Sequence, residues 1–258
     1  MSNAAILTDA AEGVFTITIN RPEKLNALTG AMHEALETAF NRFAADPALE
    51  VCVLTGGGER AFCAGSDLSG DPVGRTYPPH GYGGIAARFD LDKPVIAKVR
   101  GLALGGGFEL ALACDMIVAA DTARFGLPEP KVGLIALGGG IHRLVRQSGI
   151  KQAMIPLLTG RQIAAPEGVA MGFVSAVVAE AKLDDTVAAL CAEIRANAPL
   201  AVHLTKQLAA WGLDQSCLAD ALSGQADLPA YRHWQAAEDT HEGPRAFLDK
   251  RVPVWKGR

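Results

Sequence analysis

The sequence alternates short segments rich in Val, Ile and Thr with a segment of helical periodicity, and this alternation constrains the fold most strongly. The strand-like segments are VFTITI (14–19), VCVLTG (51–56), PVIAKV (94–99), MIVAA (116–120) and FVSAVV (173–178). Between the first two, apolar residues recur at helical spacing at Leu28, Met32, Ala35, Leu36, Ala39, Phe40 and Phe43, and Thr29 suits the N-cap. This order of strand, helix and strand predicts an α/β fold.

The strand signal fades after about residue 184. The remaining sequence predicts helices through 195, over 200–211 and over 215–238, followed by a short amphipathic tail. We therefore divide the 258 residues into a core (1–195) and a helical C-terminal region (196–258). We expect the C-terminal region to pack on the core and on neighbouring subunits.

Composition and charge argue against several classes of protein. The formal net charge of −4 predicts no nucleic-acid partner. The chain has no apolar run long enough for a membrane helix and no signal-peptide pattern at its start, so we expect neither membrane insertion nor export. Five scattered cysteines without a C-x-x-C pair suit a reducing cytoplasm, and the six histidines show no metal-site spacing. We expect no metal.

Two glycine-rich turns are candidates for binding a negatively charged oxygen. They lie in ERAFCAGSDL (59–68) and RGLALGGGFELALACD (100–115). A glycine turn that opens a helix presents N–H groups at the positive end of the helix dipole, and two such turns face to face would form an oxyanion hole. A glycine cluster can equally mark a turn that needs positive φ or close packing. No dinucleotide fingerprint, P-loop or G-x-S-x-G motif is present.

Two glutamates accompany these turns. Glu109 lies within the apolar run GGGFELALACD, and Glu129 lies in ARFGLPEPKVGL (123–134). A buried carboxylate is costly unless it is paired, hydrogen-bonded or used in chemistry. The structural alternatives are a helix-dipole contact for Glu109 and an exposed loop charge for Glu129.

The segment SGDPVGRTYPPHGYGG (69–84) contains five glycines and three prolines, which predicts a loop. It is either a mobile surface connection or a lid that shapes a substrate site. Two tyrosines, Tyr77 and Tyr82, are unusual in such a segment. A second glycine turn, in GLIALGGGIHRL (133–144), leads into a helix.

Five motifs, read together, resemble the enoyl-CoA hydratase/isomerase, or crotonase, superfamily. They are NRPEKLNAL (20–28), AFCAGSDL (61–68), GLALGGGFELALACD (101–115), FGLPEPKVGL (125–134) and EGPRAFLDKR (242–251). The resemblance runs in order from about residue 13 to the C-terminus. It implies a spiral of ββα repeats with a helical C-terminal trimerisation region, assembled as a homotrimer or a dimer of trimers.

The resemblance also implies a catalytic site. The thioester carbonyl oxygen would accept hydrogen bonds from the main-chain N–H groups of Ser66 and Gly106. These donors would stabilise the negative charge that develops on this oxygen during the reaction. Members that hydrate enoyl-CoA use two glutamates, which fall on Glu109 and Glu129. We assign Glu109 to orienting and activating water and Glu129 to proton exchange at Cα.

Coenzyme A would enter as the carrier of the substrate, with no permanently bound cofactor. The resemblance implies that its adenine lies against the backbone from Ala64 to Leu68, a stretch that includes Ser66 and Asp67. Lys250 would contact phosphate, and Tyr231 would lie near the adenine, from an adjacent subunit. Lys250 also has a simpler interpretation, because it belongs to a basic tail with Arg245, Arg251, Lys256 and Arg258.

The predicted activity is hydration of a 2-enoyl-CoA or the reverse dehydration of a 3-hydroxyacyl-CoA, including a specialised acyl group such as a carnitinyl thioester. One alternative is a double-bond isomerase, for which one glutamate suffices. The other is a non-catalytic acyl-CoA-binding scaffold, which would be expected to lack an acid or a donor glycine. The sequence departs from the hydratase pattern at Ala136–Leu137, where a Pro-Gly pair is common, and Leu137 would put bulk beside the second glutamate.

Overall fold

The computed structural model describes residues 4–69 and 76–258, which form two compact units. The first unit contains the described residues up to Asp90 together with Val95–Ala189, and the second contains Leu91–Pro94 and Leu190–Arg258. The strands are β1 (Ile6–Ala11), β2 (Val14–Ile19), β3 (Val51–Gly56), β4 (Ala61–Cys63), β5 (Val95–Val99), β6 (Leu102–Leu104), β7 (Met116–Ala120), β8 (Arg124–Gly126), β9 (Ile163–Ala164) and β10 (Ala176–Val178). The helices are α1 (Gly30–Ala45), α2 (Gly106–Ala113), α3 (Gly140–Ser148), α4 (Ile150–Thr159), α5 (Ala165–Met171), α6 (Leu183–Arg195), α7 (Pro199–Leu213), α8 (Leu218–Gly224), α9 (Pro229–Ala236) and α10 (Asp239–Leu248).

The larger sheet of the first unit has six strands in the order β1-β2-β3-β5-β7-β10. β1 and β2 form an antiparallel hairpin, and every other neighbouring pair in this sheet is parallel. The side chains of β3 are buried from Val51 to Thr55, as expected for a parallel strand covered on both faces. The predicted α/β fold is confirmed.

The smaller sheet positions the candidate site. Its order is β4-β6-β8-β9, and β4, β6 and β8 are parallel neighbours. The glycine turn at 64–66 follows β4, the turn at 105–106 follows β6, and Glu129 follows β8. Because parallel strands end at the same edge of a sheet, three segments that are distant in sequence meet there.

Helix α1 confirms the predicted helix between the first two strands, but one predicted core position is wrong. Thr29 is the N-cap residue, and the predicted apolar positions are buried except Ala35, which is exposed. Two polar residues of this helix, His33 and Glu37, are buried instead. They face the segment at 82–84, which packs closely on α1, so tertiary contacts set the buried face of this helix.

The other differences from the predicted elements have local causes. Of the segment 173–178, only Ala176–Val178 pairs as a strand, next to β7. The helix predicted over 215–238 is broken by extended backbone at Leu228, with Pro229 starting α9. Helix α10 begins before the predicted tail (243–258) and extends into it, and its buried Asp239 accepts hydrogen bonds from the main-chain N–H groups of Lys256 and Gly257. Within the described ranges, no helix is long and apolar enough to cross a membrane.

Candidate active site

The two predicted glycine turns are in direct contact. A β-carbon on Gly65 would lie 3.0 Å from the main-chain nitrogen of Gly106 and 3.0 Å from the carbonyl oxygen of Leu104. Gly65 and Gly105 both have positive φ, of 93° and 54°, which favours glycine at each position. The close approach of the two turns therefore depends on the absence of a side chain at Gly65.

Each turn presents an N–H group that has no main-chain acceptor among residues 4–69 and 76–258. Gly106 is the first residue of α2, where helix geometry leaves N–H groups without intrahelical partners. Ser66 forms an isolated parallel β-bridge with Leu28. Its two hydrogen bonds run from the Leu28 N–H to the Gly65 carbonyl and from the Asp67 N–H to the Leu28 carbonyl, so the bridge does not use the Ser66 N–H. Two adjacent donors of this kind can bind one negatively charged oxygen.

Glu109 lies in the first turn of α2 and is 3% exposed. Its Oε1 accepts a hydrogen bond of 2.8 Å from the Gly140 N–H. A β-carbon on Gly138 would lie 2.7 Å from Glu109 Oε2, and one on Gly140 would lie 2.8 Å from Glu109 Cγ. The glycine turn before α3 thus encloses this carboxyl group. From the sequence, this turn was predicted only to lead into a helix.

The surroundings of Glu109 raise its pKa from 4.5 to about 7. Burial is the largest cause, and the charge of Glu129 acts in the same direction. The N–H groups of Gly140 and Gly138 and the charge of Arg143 oppose the rise because they favour the carboxylate. Near neutral pH, Glu109 can therefore both accept and release a proton.

Glu129 lies against the turn that starts α2. A β-carbon on Gly105 would be 3.0 Å from Glu129 Oε1. Within the described part of the chain, its Oε2 is buried and has no hydrogen-bond partner. Burial raises the pKa of Glu129, and a main-chain N–H donor to the carboxylate partly opposes the rise. The two predicted acids therefore occupy different environments on either side of one glycine turn.

Tyr82 is a site residue to which sequence reasoning gave no role, although its presence in the 69–84 loop was unusual. It is 4% exposed, and its Oη lies 3.2 Å from Ser66 Oγ. Its ring packs against His33 and Tyr77, at centroid distances of 4.6 Å and 5.4 Å. Residues 70–75 of that loop lie outside the described residues.

The predicted adenine-binding stretch follows β4. The Ala64 N–H donates to the Leu25 carbonyl, and Leu68 is 58% exposed. Asp67 accepts a hydrogen bond of 2.5 Å from Arg21 Nη1 and another from the Ser69 N–H, and these contacts hold its pKa well below its usual range. The Asp67 side chain is thus used within the protein, and the contact of this stretch with adenine stays a prediction.

Tyr231 and Lys250 belong to the second unit. Tyr231 lies on α9 and packs on Trp234 at 5.5 Å, and Lys250 is an exposed residue just after α10 with φ of 54°. Their contact with coenzyme A stays a prediction.

At the position of the unusual Ala136–Leu137 pair, Ala136 is buried, whereas Leu137 is 83% exposed, so most of its bulk faces solvent in this chain.

We expect Gly106→Ala to disable the site. Its β-carbon would overlap Cζ and Oη of Tyr82, so the ring or the turn must move. Overpacking of this kind costs about 1–3 kcal/mol of stability, and displacing one oxyanion donor lowers kcat by about 10²-fold. Gly30→Ala is the matched control, because a β-carbon there meets nothing within 4 Å. Thermal melting and acyl-CoA turnover test both variants, and a fully active Gly106→Ala protein would contradict this site geometry.

Comparison with known proteins identifies the family of this chain. Residues 9–258 match the family model described as enoyl-CoA hydratase/isomerase. A carnitinyl-CoA dehydratase of Salmonella paratyphi A is 40% identical over 255 residues, which cover 95% of each chain. Among solved structures, enoyl-CoA hydratase EchA1 from Mycobacterium marinum has a TM-score of 0.90 and 38% identity, covering 98% of this chain and 99% of its own. An enoyl-CoA hydratase from Bacillus anthracis has a TM-score of 0.89 and 35% identity, covering 99% of this chain and 100% of its own. The chain therefore belongs to the enoyl-CoA hydratase/isomerase family.

Proposed function

We propose that this protein is an enoyl-CoA hydratase-type lyase. It adds water across the 2,3 double bond of an enoyl-CoA thioester or dehydrates the corresponding 3-hydroxyacyl-CoA. The observation that carries the proposal is the pair of acids beside one glycine turn: Glu109 is held by main-chain N–H groups, and Glu129 has an unpartnered buried oxygen within the described residues.

The thioester oxygen binds between the N–H groups of Ser66 and Gly106. During addition of water at Cβ, electron density moves onto this oxygen, and the thioester becomes enolate-like. Donors already in place stabilise that charge, and one such donor is worth roughly 3 kcal/mol in the transition state. The contact of Gly65 with the start of α2 supports this assignment, because Ser66 and Gly106 both adjoin that contact.

The two acids divide the proton transfers. Glu109, as the carboxylate, orients a water molecule and accepts its proton as the oxygen attacks Cβ. Glu129, in its protonated form, delivers a proton to Cα. Burial raises the pKa of both carboxyl groups, which supports a proton-transfer role for each, and the hydrogen bond from the Gly140 N–H supports the carboxylate form of Glu109.

Hydration is favoured over the two alternatives by the residues that are present. A double-bond isomerase moves a proton between Cα and Cγ and needs one acid, whereas this chain keeps two. A non-catalytic scaffold would have no use for a buried carboxyl group whose pKa is raised to about 7. The similarity to a carnitinyl-CoA dehydratase supports including a 3-hydroxyacyl-CoA with a quaternary ammonium group among the substrates.

A panel of acyl-CoA esters tests the proposal. The full chain is mixed with crotonyl-CoA, with longer 2-enoyl-CoAs and with the dehydration product of carnitinyl-CoA, and the ultraviolet absorbance of the conjugated thioester is followed. We expect absorbance to fall for at least one ester and to rise when its 3-hydroxyacyl partner is supplied. A 3-enoyl-CoA that gains absorbance while no 2-enoyl-CoA reacts would identify an isomerase. Binding of coenzyme A without any turnover would support the scaffold.

We also propose a cytoplasmic homo-oligomer, a trimer or a dimer of trimers, in which Tyr231 and Lys250 contact the coenzyme A of an adjacent subunit. Large apolar side chains exposed in each unit support assembly. In the first unit they include Val132, Ile135, Ile150, Ile155 and Leu158, and in the second Leu213, Leu218, Leu222, Phe247 and Leu248. The scattered, odd-numbered cysteines support the location.

A further inference from the structure

The hydroxyl of Tyr82 lies beside the two residues whose N–H groups are proposed to bind the thioester oxygen, and neither acid assignment uses it. Its Oη is 3.2 Å from Ser66 Oγ, and the end of its ring fills the space that a Gly106 β-carbon would need. Ser66 and Gly106 supply the two proposed main-chain donors. The phenol therefore adjoins both residues that supply the proposed donors.

A count of protons leaves one hydroxyl donor for a ligand. The hydroxyls of Ser66 and Tyr82 carry two protons, and their mutual hydrogen bond uses one. Among the described residues, neither hydroxyl has a second partner. When Ser66 Oγ donates to Tyr82 Oη, the phenolic proton remains for an acceptor in the site. The phenol is the more acidic of the two hydroxyls, so it is the stronger donor to a developing negative charge.

The phenol keeps this proton at every pH relevant to the protein. Burial raises the pKa of Tyr82 well above its usual value of 10, and the nearby Cys63, Glu109 and Tyr77 act in the same direction. The Ser66 hydroxyl opposes the rise. Because the phenolate is disfavoured, Tyr82 can donate a hydrogen bond but does not lose its proton to the reaction.

The segment that carries Tyr82 is held in place by contacts on both sides. The Gly83 N–H donates to His33 Nδ1 at 3.0 Å, and Arg88 Nε donates to the Gly84 carbonyl at 3.1 Å. A β-carbon on Gly84 would lie 2.5 Å from the Glu37 Cα, so this backbone lies directly on α1. A donor fixed before the substrate arrives loses little freedom on binding, which is the condition for effective electrostatic stabilisation.

We propose that Tyr82 is a third hydrogen-bond donor to the thioester oxygen, beside the N–H groups of Ser66 and Gly106. The inference rests on the proposed function in that the bound group is an acyl-CoA thioester, but it does not depend on whether water adds to it. The phenol contributes in the transition state, where the oxygen is most negative, and therefore acts on kcat more than on KM.

Tyr82→Phe removes one oxygen and keeps the ring. We expect kcat on the best ester of the panel to fall by about 10²-fold, with KM changed less than three-fold. Tyr77→Phe is the matched control, because it removes a hydroxyl from the neighbouring ring at 5.4 Å, and its kcat should stay within two-fold of the wild type. Melting temperatures of both variants should stay close to that of the wild type.

A spectroscopic measurement separates a donor from a structural residue. Butanoyl-CoA labelled with ¹³C at its carbonyl has no double bond to hydrate, and its carbonyl stretch falls in frequency when the oxygen accepts hydrogen bonds. We expect the frequency of the carbonyl stretch to fall on binding to the wild-type protein. The fall should be smaller with Tyr82→Phe, and with Tyr77→Phe it should equal that of the wild type. Ser66→Ala keeps the main-chain N–H and should lower kcat less than Tyr82→Phe.

The outcomes distinguish this inference from the proposed function. The donor assignment would be overturned if the wild type turns over an ester but the carbonyl stretch of bound butanoyl-CoA has the same frequency in Tyr82→Phe as in the wild type. This holds even if kcat falls in the variant. A larger loss in Ser66→Ala than in Tyr82→Phe would also overturn it, because the donor would then be the serine. If no ester is turned over but the downshift depends on Tyr82, the donor assignment stands and hydration fails.

Discussion

Glu129→Gln should lower kcat for hydration by about 10³-fold while acyl-CoA binding stays within a few-fold of the wild type. The amide keeps the size and polarity of the side chain but cannot deliver a proton to Cα, and general acid catalysis contributes about 10²–10⁴-fold. Turnover is measured by absorbance of the conjugated thioester, and binding by calorimetry with butanoyl-CoA.

The control for this prediction is Glu34→Gln, which makes the same chemical change on the exposed face of α1. It should leave kcat and binding unchanged. A Glu129→Gln protein that retains more than a tenth of wild-type kcat would remove Glu129 from the mechanism. Loss of binding together with activity would indicate a disturbed turn at Gly105 rather than a lost proton donor.

Glu109→Gln should also lower kcat by about 10³-fold, but it should stabilise the fold above neutral pH. The pKa of Glu109 in the folded protein, about 7, lies above its ordinary value of 4.5. The folded state therefore binds more protons than the unfolded state between these values, and the free energy of unfolding falls as pH rises through this window. A rise in pKa of this size corresponds to roughly 3 kcal/mol once both states are ionised.

A glutamine at position 109 is neutral at every pH and avoids this cost. Its amide oxygen can still accept the hydrogen bond from the Gly140 N–H, but its amide NH₂ group cannot accept one from the Gly138 N–H. Loss of the second interaction reduces the gain in stability by about 1 kcal/mol. We expect the variant to be more stable than the wild type by about 2 kcal/mol at pH 8 and no more stable at pH 5. Urea unfolding at the two pH values measures the difference. If the difference in the free energy of unfolding between variant and wild type is equal at pH 8 and pH 5, burial does not destabilise the Glu109 carboxylate.

These two variants together address a general feature of buried active-site acids. A carboxyl group that would be more stable as an amide is retained at a cost to the fold, and such a cost is expected where function requires the charge. The cost arises from burial, since the hydrogen bonds from Gly140 and Gly138 only partly offset it. A stabilising but inactivating substitution at position 109 would therefore support a chemical rather than a structural role.

The sequence was sufficient to predict the α/β fold because strand and helix periodicities are local properties. It placed the strands at 14–19, 51–56 and 116–120 correctly, as well as the helix beginning after Thr29. It also pointed to the two glycine turns and to Glu109 and Glu129, since a glycine cluster and a carboxylate in an apolar run can be seen in the sequence, while the roles of these residues stay predictions. The order of the motifs was enough to suggest the family.

Tertiary structure alone decided how these parts act on one another. The parallel pairing of β4, β6 and β8 brings the turns and Glu129 to one sheet edge, and no local pattern encodes that pairing. The burial of His33 and Tyr82 and the enclosure of Glu109 by Gly138 and Gly140 likewise depend on segments that are distant in sequence. A pKa depends on the groups that surround a carboxyl in space, so the sequence could name the acids, but only the folded chain could set their protonation.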